Sequence, residues 1–308
     1  MLSRIAESLY WIGRYVERAE DTARLLDVAH RAALEGSDLV APEVLAAVLG
    51  GNSLQDSRSA VLAAYCLDRY LPESVTYSVR SARENARTIR EALPSEMWEA
   101  LNTWHLQTAA AGRGDLTGGG AHQLLSDFLT RAYHLVGVAE STMVRDEGWD
   151  WFVIGRYLER VAFTSRALAV RAPQLATAGS AAETYGYAVL LRAFAAHEAF
   201  RATYRAGADS RRVIEFMLLG ERFPRSALYA ARHLDEAASR VSDETYGRDA
   251  RRKVGQLRGE VQFRDIDDIF DEGVDIVLWR LLSRCYDVHT AFVDEPFARG
   301  AYVGRVGA

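Results

Sequence analysis

Ile12-Gly13-Arg14-Tyr15-Val16-Glu17-Arg18, followed by Thr22 and Arg24, returns 142 residues later as Ile154-Gly155-Arg156-Tyr157-Leu158-Glu159-Arg160, followed by Thr164 and Arg166. Eight of the 13 positions aligned across 12–24 and 154–166 are identical. A second block follows in the same order at a somewhat larger offset. Leu71-Pro72-Glu73-Ser74 with Arg80 corresponds to Phe223-Pro224-Arg225-Ser226 with Arg232, and Asp68-Arg69 precedes the first as Glu221-Arg222 precedes the second. The chain therefore reads as a tandem duplication of a unit of about 150 residues, whereas solenoid repeats run about 20–50 residues in three or more copies. Two long copies favour one compact helical bundle with its halves related by a pseudo-two-fold axis. The expected organisation is a single all-helical domain over 1–308, with halves at roughly 1–142 and 143–293 and a C-terminal tail over 294–308.

Around the first repeat, Leu2, Ile5, Leu9, Ile12, Val16, Ala19, Ala23 and Leu26 alternate spacings of three and four, which paints one apolar stripe on a helix predicted from Ser3 to Ala33. The same reading predicts helices over 58–70, 73–92, 95–110, 121–144, 149–171, 181–206, 211–219, 225–241, 248–259 and 266–292, with little strand signal anywhere. Ser180 with Glu183 forms a capping box, Asp209 can cap the next helix, and Pro72, Pro94 and Pro224 sit at or just before first turns. Loops are expected at Gly50 to Ser57, at the glycine-rich Gly112 to Gly120 and after Asp294.

At 100° per residue, Gly13, Glu17 and Arg24 share one edge of the stripe, as do Gly155, Glu159 and Arg166. Tyr15, Arg18 and Thr22 share another face, as do Tyr157, Arg160 and Thr164. A glycine inside a helix costs about 1 kcal/mol relative to alanine, so its presence at both positions predicts close helix approach beside two partly buried glutamates. Each glutamate has an arginine next in sequence, another three residues earlier and a third seven residues later. Two readings follow. In one, a buried Glu and Arg network fixes how the halves dock. In the other, Glu17 and Glu159 are catalytic candidates in a central pocket where Arg14, Arg18, Arg156 and Arg160 clamp an anion.

With 308 residues, 49% hydrophobic and 26% charged, the composition is that of a soluble globular protein. No apolar run approaches 18 residues, and Arg4, Glu7, Arg14 and Glu17 interrupt the segment a signal peptide would need. A cytoplasmic protein that neither is secreted nor spans a membrane is expected. Of the 37 basic residues only Lys253 is a lysine, so lysine-based covalent chemistry and a Walker A loop are hard to place. The net charge of -5 argues against general nucleic-acid binding. Cys66 and Cys285 form neither a CxxC pair nor a disulfide framework.

The opening Met1-Leu2-Ser3-Arg4-Ile5-Ala6-Glu7-Ser8-Leu9-Tyr10-Trp11 and the Glu-Arg motif that follows it resemble the alpha-E domain family of all-helical bacterial proteins. So do Ala82-Arg83-Glu84-Asn85-Ala86-Arg87, Trp98-Glu99-Ala100-Leu101-Asn102 and Phe223-Pro224-Arg225-Ser226, and the resemblance covers nearly the whole chain. It implies an association with circularly permuted ATP-grasp ligases and transglutaminase-like proteins. The role implied is that of an accessory subunit or an enzyme in a pathway forming peptide or amide bonds. It implies no substrate and no cofactor, and a homo-oligomer stays open.

Arg80, Arg83, Arg87 and Arg90 recur at spacings of three, four and three, with Glu84 and Asn85 beside them. Such a stripe needs acidic partners on a neighbouring helix or an external anion, and Arg80, Arg83, Asn85 and Arg87 are binding candidates. Asp267-Asp268-Ile269-Phe270-Asp271 matches the DDxxD pattern that holds magnesium in helical prenyl diphosphate synthases, but no second copy exists, and beside the apolar stripe of Ile266, Ile269, Phe270, Val274 and Val277 the acids read rather as the solvent face near a helix N-terminus. No histidine follows a glutamate by three residues, His197-Glu198 lacks the second zincin histidine, and there is no G-x-S-x-G elbow. No metal site is predicted. Gly118-Gly119-Gly120 lacks the preceding strand and following lysine of a phosphate loop and reads as a connector.

Overall fold

The computed structural model describes residues 1–36, 41–51, 57–117, 119–176, 180–205, 207–242 and 247–294. Among them are fourteen α-helices and no strand. In chain order these are α1 (Ser3–Leu34), α2 (Pro42–Leu49), α3 (Arg58–Leu67), α4 (Val75–Thr88), α5 (Ser95–Ala110), α6 (Gly120–Thr142), α7 (Glu147–Ala176) and α8 (Ser180–Ala193). Then come α9 (His197–Thr203), α10 (Ser210–Leu219), α11 (Ala227–Val241), α12 (Arg248–Gln262), α13 (Ile266–Glu272) and α14 (Val274–Phe292). No helix among the described residues is long and apolar enough to cross a membrane.

The two longest helices, α1 and α7, carry the repeated motif and lie side by side in the same direction. The Met1 amino group sits 2.7 Å from Glu147 at one end, and Leu25 and Val28 face Phe163, Ala167 and Arg171 at the other. Alanine and leucine positions at helical spacing bury the shared face, with Ile12, Leu26, Ile154 and Leu158 fully enclosed. Helices α4 and α6 flank α1, and α5 spans those two; α11 and α14 flank α7, and α12 spans those two.

What permits this approach is the absence of a side chain. A Cβ at Gly13 would stand 2.2 Å from the Phe152 carbonyl oxygen, and one at Gly155 would stand 2.0 Å from that of Tyr10. Both obstacles are backbone, so no rotamer change relieves them.

Several boundaries differ from the periodic reading for local reasons. The helix expected over 58–70 stops at Leu67, ahead of the Leu71-Pro72 pair. The one expected over 181–206 breaks at Ala195, which adopts a left-handed φ of 50° while the Ala196 N–H returns to the Leu191 carbonyl at 2.8 Å. That expected over 266–292 divides at Gly273, whose φ is 105°. Helix α2, inside the segment after α1, carries little readable period: Glu43 is its one charged residue, the rest are apolar or proline, and Pro42 at its start and left-handed Gly50 at its end mark it. Asp209 caps α10 as expected, its carboxylate accepting from the Arg212 N–H at 2.9 Å. Within the predicted connector 112–120, Arg113–Leu116 forms a single 3-10 turn. Gly118, the middle of the Gly50–Ser57 loop, the Ser180 side chain and the tail after Asp294 lie outside the described residues.

Candidate functional site at the paired Glu-Arg helices

The crossing of α1 and α7 places each glutamate opposite the arginines of the other helix. Arg160 donates to both Glu17 oxygens, at 2.5 and 2.8 Å, and Arg156 adds two donors at 3.3 Å. In the reverse sense, Arg18 donates to both Glu159 oxygens at 2.7 and 3.1 Å, and Arg14 Nε donates to Glu159 Oε2. Glu17 is 0% exposed and Glu159 7%. Burial alone would raise both carboxyls, but the facing guanidinium groups outweigh it, holding Glu17 down at about 2 and Glu159 well below the usual carboxylate range. Both are anions locked by forked, charge-assisted bonds.

The second repeated block packs onto the first. Thr22 donates to the Glu73 carbonyl at 3.3 Å and Thr164 to the Arg225 carbonyl at 3.1 Å, while Arg160 reaches the Pro224 carbonyl at 3.1 Å. Ser74 and Ser226, both fully buried, cap α4 and α11 by accepting from Tyr77 N–H at 3.0 Å and Tyr229 N–H at 3.1 Å. Each hydroxyl donates in turn to a carbonyl six residues back, Asp68 or Gly220. The Leu-Pro-Glu-Ser and Phe-Pro-Arg-Ser segments are thus helix entrances pinned to the motif helices.

The two sides are not equivalent. On the Glu17 side, Arg225 donates to Asp21 at 2.5 Å and to Glu20, and Arg24 donates to Glu20. Asp21 keeps one buried oxygen without a partner, and burial, reinforced by Glu17 and Glu20, pushes its carboxyl up to about 7 against the pull of Arg225. On the Glu159 side the aligned residues are Ala162 and Phe163, and Phe163 packs edge-on against Phe194. Here Tyr10 accepts from Arg14 at 2.8 Å and pairs with His289 Nδ1 at 2.7 Å. Burial, with Arg14 and Arg18 nearby, pushes the His289 imidazole down to about 4, so it is neutral near pH 7.

The structure thus brings Glu17, Glu159, Arg14, Arg18, Arg156 and Arg160 together, and it does not bring the α4 arginines into contact with either glutamate. Arg83 donates to Asn102 at 3.2 Å and to Glu84 at 2.5 Å, and Glu84 also accepts from Arg87 at 2.9 Å. Arg83 and Arg90 both lie over the Trp98 ring, at 5.3 and 5.2 Å. Asn85 spends its amide on the Ser81 carbonyl at 2.9 Å. Arg80 is exposed and makes no ion pair among the described residues.

The acids of 265–272 act as caps and ion partners. Asp265 and Asp268 form a reciprocal capping box at 3.0 and 3.1 Å, Asp267 pairs with Arg211, and Glu272 with Arg264 and Arg280. Among the described residues no group of three or more His, Cys, Asp or Glu side chains is placed to hold a metal. Burial pushes the Cys66 and Cys285 thiols up to about 12, away from nucleophilic use. Sequence reasoning did not place Arg225 in the Glu17 cluster. The available signal was a compensating difference between repeats: Glu73 becomes Arg225 where Glu20 and Asp21 become Ala162 and Phe163.

An uncharacterized protein of Mycobacterium bovis is 29% identical over 191 residues, a match covering 51% of this chain and 21% of that protein. Uncharacterized proteins of two Mycobacterium tuberculosis strains are 29% and 28% identical with the same coverage. The chain spans about a fifth of the length of these curated relatives, 21%. No solved structure matches it. A family described as "a predicted alpha-helical domain with a conserved ER motif" matches residues 1–295, both Glu-Arg helices included, and the chain belongs to that family, Alpha-E.

Proposed function

We propose that the protein is a helical accessory partner of an ATP-grasp ligase that forms peptide or amide bonds, docking to the ligase or positioning its substrate, with a transglutaminase-like protein as a further partner. One observation carries the non-catalytic half of this reading: Glu17 and Glu159 are each enclosed and held by two arginines of the opposite helix. A general acid or base must exchange a proton near the working pH and reach its substrate. A buried carboxylate held near 2, with both oxygens occupied, does neither. The motif is spent on joining α1 to α7. The ligase as partner rests on the family resemblance, and a partner of an ATP-dependent ligase works in the cytoplasm.

We also infer that the two halves arose by tandem duplication. Its support is the matched arrangement of α4, α5 and α6 about α1 and of α11, α12 and α14 about α7, together with the two-way Glu-Arg contacts.

The test is co-expression with a circularly permuted ATP-grasp ligase and a transglutaminase-like protein of the same organism, followed by ATP consumption with and without this chain. A stable complex with altered ATP turnover is expected. Absence of any complex, with identical turnover in both reactions, would defeat the proposal.

A further inference from the structure

The repeats differ in one charge pairing that leaves a guanidinium unmatched. In the first, Glu20 and Arg24 stand four residues apart on α1 and pair directly. In the second, the aligned residues are Ala162 and Arg166, so the arginine persists without its acid. Among the described residues no carboxylate lies within ion-pair distance of Arg166, and its one hydrogen bond runs to the Leu49 carbonyl at 3.5 Å. Glu159 is close enough to be felt electrostatically, but Arg14 and Arg18 already occupy both its oxygens. Three arginines thus share one carboxylate on this side. Glu73, aligned with the Arg225 that completes the other cluster, forms no ion pair with them.

An unmatched guanidinium in a largely desolvated setting is costly unless an anion completes it. The backbone at Gly50 passes close against one side of the half-buried Arg166 head. A Cβ at Gly50 would come within 3.0 Å of Nη1, and one at the next residue, Gly51, within 2.1 Å of the Tyr65 hydroxyl. Ala162 in turn lacks the side chain with which Glu20 fills the corresponding position. We propose that Arg166 anchors a binding site for a small oxyanion, a carboxylate or a phosphate group. The anion takes the position relative to Arg166 that the Glu20 carboxylate takes relative to Arg24. The site lies where α7 meets the end of α2, and it does not depend on the docking role above.

Calorimetric titration of the full chain with inorganic phosphate and, separately, with acetate at low ionic strength tests this. Saturable one-site binding of at least one anion is expected, and which of them binds identifies the source of the oxyanion. Arg166→Gln should weaken that binding at least tenfold. Arg166→Lys, which keeps the charge and loses the fork, should fall between. Ala162→Glu supplies an intramolecular carboxylate, so it should abolish anion binding and melt above the parent. No saturable binding of either anion by the parent would overturn the site, as would binding unchanged in both Arg166→Gln and Ala162→Glu.

Discussion

Replacing Gly155 by alanine adds a single methyl group at the tightest point between α1 and α7. The new Cβ would lie 2.0 Å from the Tyr10 carbonyl oxygen, 2.9 Å from its carbon and 3.0 Å from the Arg14 nitrogen, all backbone atoms. Restoring ordinary contact requires the helices to part by about 1 Å, and overpacking of this kind costs roughly 1–3 kcal/mol. The same displacement stretches the Glu17 and Glu159 hydrogen bonds, now 2.5 to 3.3 Å, toward the limit of useful geometry. Each such bond to a charged group contributes about 1.5–3 kcal/mol. Against these losses stands the helix-propensity gain of about 1 kcal/mol. A net destabilisation of about 3 kcal/mol is expected in urea unfolding. Gly137→Ala, on an exposed face of α6 with nothing within 4 Å, is the internal control and should gain up to about 1 kcal/mol. If Gly155→Ala unfolds at the same urea concentration as Gly137→Ala, the helices are not held at the distance described.

Ala195→Gly should stabilise by about 1 kcal/mol, because the left-handed φ of 50° that ends α8 costs alanine more than glycine; a lower melting temperature would contradict it. The folded Glu17 carboxyl, held at about 2 against an ordinary 4.5, contributes stability that is complete above pH 4.5 and lost as pH falls toward 2. That limb, about 3 kcal/mol deep, should be missing from a pH series on Glu17→Gln. Asp21 works in the opposite sense: raised from 3.8 to about 7, it favours the folded state most at low pH and loses that contribution as pH rises between those values. Asp21→Asn should flatten this part of the stability profile, and an unchanged slope would count against a protonatable carboxyl there.

What was legible in the sequence was what repeats locally. The stripe from Leu2 to Leu26 predicted α1 almost to the residue, and the paired glycines and glutamates predicted a close crossing with buried charge. Pairing across long distances was not legible. Arg225 meets Glu20 and Asp21 from more than 200 residues away, and no periodicity connects them. The α4 arginines read as an open anion-binding surface because their spacing is visible, whereas the Trp98 and Asn102 that engage Arg83 come from the next helix. Helix α2 escaped notice because PEVLAAVL is short and, Glu43 apart, offers no polar residue to define a face. The break at Ala195 was hidden because a left-handed cap ordinarily announces itself by glycine or asparagine.

The unfolding free energy of Glu17→Ala tests most directly whether the Glu-Arg motif is a buried clamp between α1 and α7. Removing the carboxylate leaves Arg156 and Arg160 facing each other in a desolvated interior without their anion. Breaking a buried pair in this way costs about 3–5 kcal/mol, and Glu17→Gln, which keeps an acceptor, should cost less. A Glu17→Ala protein within about 0.5 kcal/mol of the parent, the range of an ordinary surface substitution, would contradict the clamp.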